Sequence, residues 1–142
     1  MGMTLVPPSI LLAAPNRDVH CAAWTAAARQ YLDNFLTIMG MSPAEFEHQI
    51  VDGRSEDRIE VRLVHSHFEL ALVADVSGSD VSLEYAAGEP AWREKTGGRY
   101  SAVFADAVTA NTLPRLISRC RWLAGLDKHS GPVPSGWSNR NR

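Results

Sequence analysis

The sequence predicts an α+β fold: an antiparallel four-stranded sheet with two N-terminal helices and one C-terminal helix packed on one face. Three observations predict it. Apolar residues recur at helical spacing over residues 16–40, alternate with charged residues over residues 58–85, and return to helical spacing over residues 112–124. With 142 residues, 45% hydrophobic and 21% charged, the chain has the size and composition of one globular domain.

Composition also divides the chain. We expect an N-terminal arm at residues 1–15, a single domain at 16–126, and a flexible tail at 127–142 that is rich in Gly, Pro, Ser and Asn. No apolar run approaches the roughly 20 residues that cross a bilayer, so no membrane partner is expected. Cys21 and Cys120 fall on apolar helix faces, which indicates buried thiols in a reducing cytoplasm; a disulfide between them is the alternative.

A long helix is predicted first. Asn16 or Asp18 caps its N-terminus by accepting a hydrogen bond from a first-turn N–H, and Gly40 supplies the left-handed residue that ends it. Polar side chains occupy one side of this helix. The opposite side forms a buried stripe of Cys21, Trp24, Ala28, Tyr31, Leu32, Phe35, Ile38 and Met39.

A second, shorter helix is predicted next. Ser42-Pro43-Ala44-Glu45 has the pattern of a capping box, with Pro43 at the first helical position. Phe46 and Ile50 form the buried side of this helix, and Asp52-Gly53 ends it.

The alternation that follows predicts a three-stranded antiparallel meander. One face is apolar, and the other carries charged residues and is expected to be solvated. The loop Ala86–Arg99 leads to a fourth strand at Tyr100–Ala105, and a third helix runs from Thr112 to Ala124. The apolar face of the meander consists of Ile59, Val61, Leu63, Phe68, Leu70, Leu72, Ala74, Val76, Val81, Leu83 and Tyr85.

Catalytic motifs are missing from the sequence. It contains no phosphate-binding loop, no GxSxG nucleophile elbow, no HExxH helix and no CxxC pair, and no cofactor is expected.

His65 and His67 are the candidate metal ligands, because residues i and i+2 of an extended segment point the same way. A third ligand would be His20 or His48. The alternative is a polar hairpin connection that happens to contain two histidines.

Charge is divided unevenly along the chain. Residues 1–90 carry 5 basic and 13 acidic side chains, whereas residues 91–142 carry 9 basic and 3 acidic ones. This asymmetry favours either internal neutralisation or an acidic partner. Nucleic acid is not expected as a partner, because the sequence has no run of lysines and arginines.

Five residues are the candidate partner-binding set. On the third helix, Trp122 lies with Arg115 and Arg119 opposite the aliphatic side, so either the tail or another chain is expected to cover it. In the loop before the fourth strand, Trp92 and Arg93 either enter a partner pocket, or Trp92 folds back over the sheet.

Part of the chain resembles a known family. Phe35-Leu36-Thr37-Ile38-Met39-Gly40-Met41-Ser42-Pro43, the meander from Ile59 to Tyr85 with Gly88-Glu89-Pro90 after it, and the helix from Leu113 are similar to the small chaperones of bacterial type III secretion. The resemblance covers residues 28–125. It implies a dimeric protein that binds an extended segment of a secreted effector without catalysis. The chain departs from the family in having no obvious helix within Ala86–Arg99 and only one strand after it.

These observations predict a non-enzymatic protein-binding module, either chaperone-like or of the inhibitor or immunity type. Its partner is expected to be another protein with an acidic surface, or a second copy of the chain that offers Glu60, Glu69 or Glu84. The alternative is a small-molecule- or metal-binding α+β domain, a class that includes enzymes. Its pocket would lie between the sheet and the first helix, lined by Tyr31, Tyr85, His20 and His65.

Overall fold

A five-stranded antiparallel sheet forms the centre of the protein. The computed structural model describes residues 5–15, 21–51, 57–76 and 80–127. Every strand pairs with its neighbour in sequence, so the spatial order is the chain order. This confirms the α+β class and the antiparallel sheet, but there are five strands and not four. The strands are β1 (Glu47–Val51), β2 (Arg58–Val64), β3 (Phe68–Asp75), β4 (Asp80–Ala87) and β5 (Tyr100–Val103).

Four α-helices accompany the sheet in the described residues. The first and last were predicted from periodicity, and Gly40, at φ +97°, ends the first helix as expected. The expected caps Asn16 and Asp18 lie outside the described residues. The helices are α1 (Cys21–Met39), α2 (Pro90–Lys95), α3 (Phe104–Ala107) and α4 (Leu113–Leu123).

The predicted second helix is wrong, because its residues form β1. Pro43–Glu45 make a single 3-10 turn, and the Ser42 side chain forms no capping hydrogen bond. The chain then pairs with β2 from Glu47↔Val64 to Val51↔Glu60. A local capping signal is worth about 1 kcal/mol, so the ladder of backbone hydrogen bonds to β2 outweighs it. Ile50, expected to be buried, is 50% exposed on this edge strand.

The segment predicted as a loop before the last strand contains α2. Glu89 is its N-cap, and the Glu89 carboxylate accepts a hydrogen bond from the Trp92 N–H at 2.7 Å. Pro90 occupies the first turn, where its missing N–H is not needed. The sequence contains both helix-start signals, Glu89 and Pro90. The helix has only six residues, which is too short for helical periodicity to show in the sequence.

The hydrophobic core is one cluster that joins apolar side chains of the sheet to the buried side chains of α1 and α4. Phe35 and Leu36 of α1 are fully buried, as are Leu70 and Leu72 of β3. The N-terminal arm takes part, since Leu11 is fully buried as well. Cys120 is a free, buried thiol. The expected flexible tail lies outside the described residues after Asp127.

The centre of the sheet face opposite the core is buried, which corrects the prediction of a solvated face there, whereas its margins, such as Arg58 and Ser101, are exposed. Glu60 and Arg62 of β2 and Glu69 of β3 are buried. Burial of these charges is tolerated because each side chain forms an ion pair. The Arg62 guanidinium lies 2.6 Å from the Glu60 carboxylate and 2.6 Å from the Glu84 carboxylate. We call this set the sheet-face network; its members are Arg58, Glu60, Arg62, Glu69, Glu84, Arg93 and Arg99.

Candidate functional site

A basic cleft lies where β4 and β5 meet α4. Its volume is about 180 Å³. Its walls combine two arginines with apolar side chains, and none of the lining residues that the structure describes is acidic. The lining residues are Tyr85, Ala102, Ala107, Thr112, Arg115, Leu116 and Arg119. Two of the predicted partner-binding residues, Arg115 and Arg119, therefore meet at one site.

Helix α4 places both arginines in the cleft. Arg115 and Arg119 are four residues apart, so they lie one above the other on the same side of the helix. The helix is anchored by aliphatic side chains such as Leu116, Ile117 and Leu123, which are buried in the core. The packing of these side chains fixes the position of the helix, and with it the points from which the two arginine side chains project.

Two stacked tyrosines support Arg119. Tyr85 and Tyr100 are cross-strand partners on β4 and β5, with nearly parallel rings whose centroids are 5.5 Å apart. The Arg119 guanidinium donates a hydrogen bond to the Tyr85 hydroxyl at 3.4 Å, and its carbon lies 5.7 Å from the Tyr100 ring centroid. That distance is within the range of a cation–π contact. Both rings are therefore part of the site, although Tyr100 gave no sequence signal.

The electrostatics of the cleft favour an anion. Burial raises the pKa of Tyr85, so its phenol stays neutral and does not cancel the charge of Arg119. Arg115 is exposed and forms no ion pair with any described residue. Burial likewise raises the pKa of the Cys120 thiol on α4, so little nucleophilic thiolate forms near neutral pH. The lining can bind a carboxylate, but it holds no general base.

Trp122 is not on the surface, which corrects its predicted position. It is only 3% exposed, and its ring meets Trp92 edge to face with centroids 5.2 Å apart. The Trp92 indole N–H donates to the Leu123 carbonyl at 3.1 Å. Trp92 therefore folds back within the chain, but its ring packs against Trp122 of α4. Trp122 is therefore not available to a partner, whereas Trp92 remains partly exposed.

Arg93 belongs to the sheet-face network. It forms an ion pair with Glu69, and its Nε donates to the Ala87 carbonyl at 2.7 Å. Arg99 reaches the same carboxylate at 2.9 Å. Basic residues of the last third of the chain thus neutralise an acidic residue of the first part, as the hypothesis of internal neutralisation expects. Glu60 and Glu84 were predicted to meet the α4 arginines of a second copy of the chain. In the structure both form ion pairs with Arg62.

The two candidate metal ligands form part of a tight hairpin between β2 and β3. The ring centroids of His65 and His67 are 5.3 Å apart, but His65 Nδ1 accepts a hydrogen bond from the His67 backbone N–H at 3.0 Å. His65 Nε2 lies 3.7 Å from a Glu45 carboxylate oxygen. Within the described ranges, no group of three or more His, Cys, Asp or Glu side chains is placed to hold a metal ion. His20 lies outside them.

The pocket expected between the sheet and α1 is not assembled from its predicted lining. Tyr31 is buried against Phe104, with ring centroids 5.2 Å apart, and donates to the Leu5 carbonyl at 3.1 Å. Tyr85 lies in the basic cleft, and His65 packs on Phe46 at the β2–β3 hairpin. These three side chains serve separate parts of the structure.

Comparison of the chain with models of protein families, with curated proteins and with solved structures gives no match. Among the described helices, none is both long and apolar enough to cross a membrane.

Proposed function

We propose that this chain is a non-enzymatic protein-binding module whose basic cleft binds an acidic side chain of a partner protein. The observation that carries the proposal is that exposed Arg115 and half-buried Arg119 line one cleft, whose described lining residues include no acidic side chain. Arginines beside aromatic rings are the residues that dominate binding energy at protein interfaces. We also propose the cytoplasm as its compartment.

The size and chemistry of the cleft support a protein partner over a small ligand. Its volume of about 180 Å³ is below the roughly 300 Å³ at which pockets usually begin to enclose small molecules. A single carboxylate side chain fits such a cleft, and a planar guanidinium binds it in a bidentate geometry. The lining residues also lack the acid–base pair that most hydrolytic or transfer chemistry needs. A chaperone-like and an inhibitor-type role both belong to this class.

Selection of random peptides tests the proposal directly. Dodecapeptides displayed on phage are selected on the full-length protein, and an enriched peptide is labelled with fluorescein for anisotropy. We expect enrichment of Asp and Glu. Arg115→Glu should weaken binding by about thirtyfold or more, since loss of an interface hot spot has that size. Arg29→Glu is the charge-matched control, because Arg29 is exposed on α1 and does not line the cleft.

Two outcomes would overturn the proposal. One is a selection with no acidic enrichment. The other is a set of peptides that bind the Arg115→Glu protein as tightly as the wild type. Replacing the acidic residue of the peptide by its amide provides the matching change on the partner side, and it should give a similar loss.

A further inference from the structure

Strand β1 (Glu47–Val51) forms an edge of the sheet. It comes first in the spatial order of the five strands, and of the described residues only those of β2 pair with its backbone. The N–H and C=O groups of an edge strand that point away from its neighbour are left open, so the strand is a template for a further strand. The pairing with β2 is continuous over all five residues, so no bulge bends this edge away.

The side chains of β1 do not protect this edge. Natural edge strands are commonly blocked by lysine, proline or a bulge, and β1 has none of the three. Four of its five residues are exposed, and two of these are aliphatic. Ile50 is 50% exposed and Val51 is 43% exposed. A regular, exposed edge with aliphatic side chains is the kind that pairs with another chain.

The opposite edge of the sheet is shorter. Strand β5 has four residues, and helix α3 begins at Phe104, immediately after its last residue. A helix that follows directly limits the length of backbone that a further strand can pair with. The longer regular edge is therefore that of β1.

The sequence of β1 is complementary to itself. When two copies pair antiparallel about a two-fold axis at Gln49, all five residues have a partner, with Glu47 opposite Val51 and His48 opposite Ile50. No like charges face each other in this register. The two copies of Glu47 are four residues apart along the strands, or about 13 Å, which exceeds the screening length of about 8 Å at physiological ionic strength.

This register also continues both faces of the sheet. His48 and Ile50 pair with Leu63 and Val61, two core residues, so their side chains lie on the core face. Across the two-fold axis, Ile50 of one copy meets His48 of the other on that same face. A shift by one residue would place core-face side chains opposite outer-face ones, so the symmetric register is favoured.

We infer that two copies of this chain associate through β1, which joins their sheets into one antiparallel sheet of ten strands. A second copy is the favoured occupant because the strand matches itself. Glu45 and Glu47 are exposed at this edge, so it disfavours an acidic segment of the kind proposed for the basic cleft. The cleft lies at β4 and β5, so this inference goes beyond the proposed function and does not rest on it.

Disulfide trapping in the full-length protein tests the geometry. Gln49→Cys places the two introduced thiols on directly opposite residues, whose Cα atoms are about 4.5–5.5 Å apart in an antiparallel pair, a distance that a disulfide spans. Glu47→Cys is the matched control, because it is exposed on the same strand but its two copies are about 13 Å apart. Both variants carry Cys21→Ser, and Cys120 is fully buried. In oxidised glutathione we expect Gln49→Cys to form the covalent dimer at least about tenfold faster.

Light scattering of the full-length protein measures the association itself. A five-residue edge is a small interface, so we expect the wild-type mass to rise from one chain to two between about 10 µM and about 500 µM. Ile50→Lys should raise the dissociation constant at least about tenfold, because the two introduced ammonium groups lie near each other across the axis. Val103→Lys is the control, since Val103 is 59% exposed on β5. Circular dichroism confirms that each variant is folded, and Val51→Lys is the second variant at the β1 edge.

The results that overturn the inference are distinct. A wild-type protein that stays monomeric at about 500 µM leaves the edge to another protein, or to the C-terminal residues if truncation after Asp127 then produces a dimer. Equal cross-linking of Gln49→Cys and Glu47→Cys indicates random collision. A dimer that Val103→Lys dissociates and Ile50→Lys does not is formed by β5. Failure of the acidic peptide to bind the basic cleft overturns the proposed function alone.

Discussion

The indole rings of Trp92 and Trp122 meet edge to face, with centroids 5.2 Å apart. Trp92 comes from the six-residue helix α2 and Trp122 from α4. The neighbour of Trp92 on α2, Arg93, pairs with Glu69 in the sheet-face network. Helix α2 therefore joins the helical core to the charged face of the sheet through two consecutive side chains.

Trp92→Ala should destabilise the protein by about 3 kcal/mol, because it removes a large packed ring and uncovers Trp122. Urea unfolding gives the free energy of unfolding, and tryptophan emission of the native variant should shift to longer wavelength as Trp122 meets water. Ile50→Ala is the control, since truncating that half-exposed side chain should change stability by less than about 1 kcal/mol. Equal stability of Trp92→Ala and wild type would show that α2 does not hold the fold together.

The helical wheel of α4 explains why Trp122 was misplaced. The aliphatic residues of this helix fill one side, and Trp122 projects from the other. A wheel shows direction along one helix but not a second helix packed against it. Helix α2 has only six residues, so its sequence does not show that its tryptophan packs against α4. The same wheel did place Arg115 and Arg119 together correctly, because that relation is local to one helix.

The strands show the same division between local and long-range information. β2, β3 and β4 alternate apolar and charged residues, and this pattern alone predicts them. β1 has no such pattern and forms only because the edge of β2 offers it backbone partners. The stacking of Tyr85 on Tyr100 depends on the register between β4 and β5, which no single-strand pattern specifies.

Gly88→Ala should be among the most damaging small substitutions. A Cβ at this position would lie 2.5 Å from the His65 carbonyl oxygen and 2.6 Å from the Phe68 nitrogen, both backbone atoms of the β2–β3 hairpin. Because the hairpin backbone would have to move, we expect a loss of about 3 kcal/mol or more in urea unfolding.

Gly98→Ala is the comparison for that substitution. A Cβ there meets no atom within 4 Å, but the residue has φ +87°, so only backbone strain of about 1 kcal/mol is expected. If the two alanine variants lose the same stability, close packing of Gly88 on the hairpin is not what selects glycine.

Stability should fall in mild acid through Glu60. Burial raises the pKa of this carboxyl, but hydrogen bonds and charge from Arg62 and Arg58 outweigh burial and hold the pKa below the usual value of about 4.3. A folded-state pKa below the unfolded one gives stability that is present above the unfolded pKa and is lost as pH falls through the folded pKa.

Thermal unfolding between pH 7 and pH 3 measures this contribution. Glu60→Gln should lower stability at pH 7 by about 1–3 kcal/mol and flatten the decline below pH 4.3, because one proton no longer binds on unfolding. Glu94→Gln is the control, as Glu94 is exposed on α2. A decline equally steep in Glu60→Gln and wild type would mean that other carboxyls dominate acid unfolding.

The Cys120 thiol should be inert in the folded protein. It is fully buried, and burial raises its pKa, so little thiolate is present near neutral pH. Iodoacetamide should label Cys120 only when urea is present. Mass spectrometry of the digested protein distinguishes labelling of Cys120 from labelling of Cys21. Rapid labelling of Cys120 without denaturant would show that α4 opens locally.

Nuclear magnetic resonance of the arginine side chains tests the central claim most directly, because it reports where an acidic segment binds without altering the protein. The selected acidic peptide is titrated into ¹⁵N-labelled full-length protein, and the Nε–Hε signals are followed. We expect the signals of Arg115 and Arg119 to move together with one dissociation constant while that of Arg29 stays in place. Movement confined to Arg93, Arg99 or other arginines outside the cleft, with Arg115 and Arg119 unchanged, would contradict the assignment of the basic cleft as the binding site.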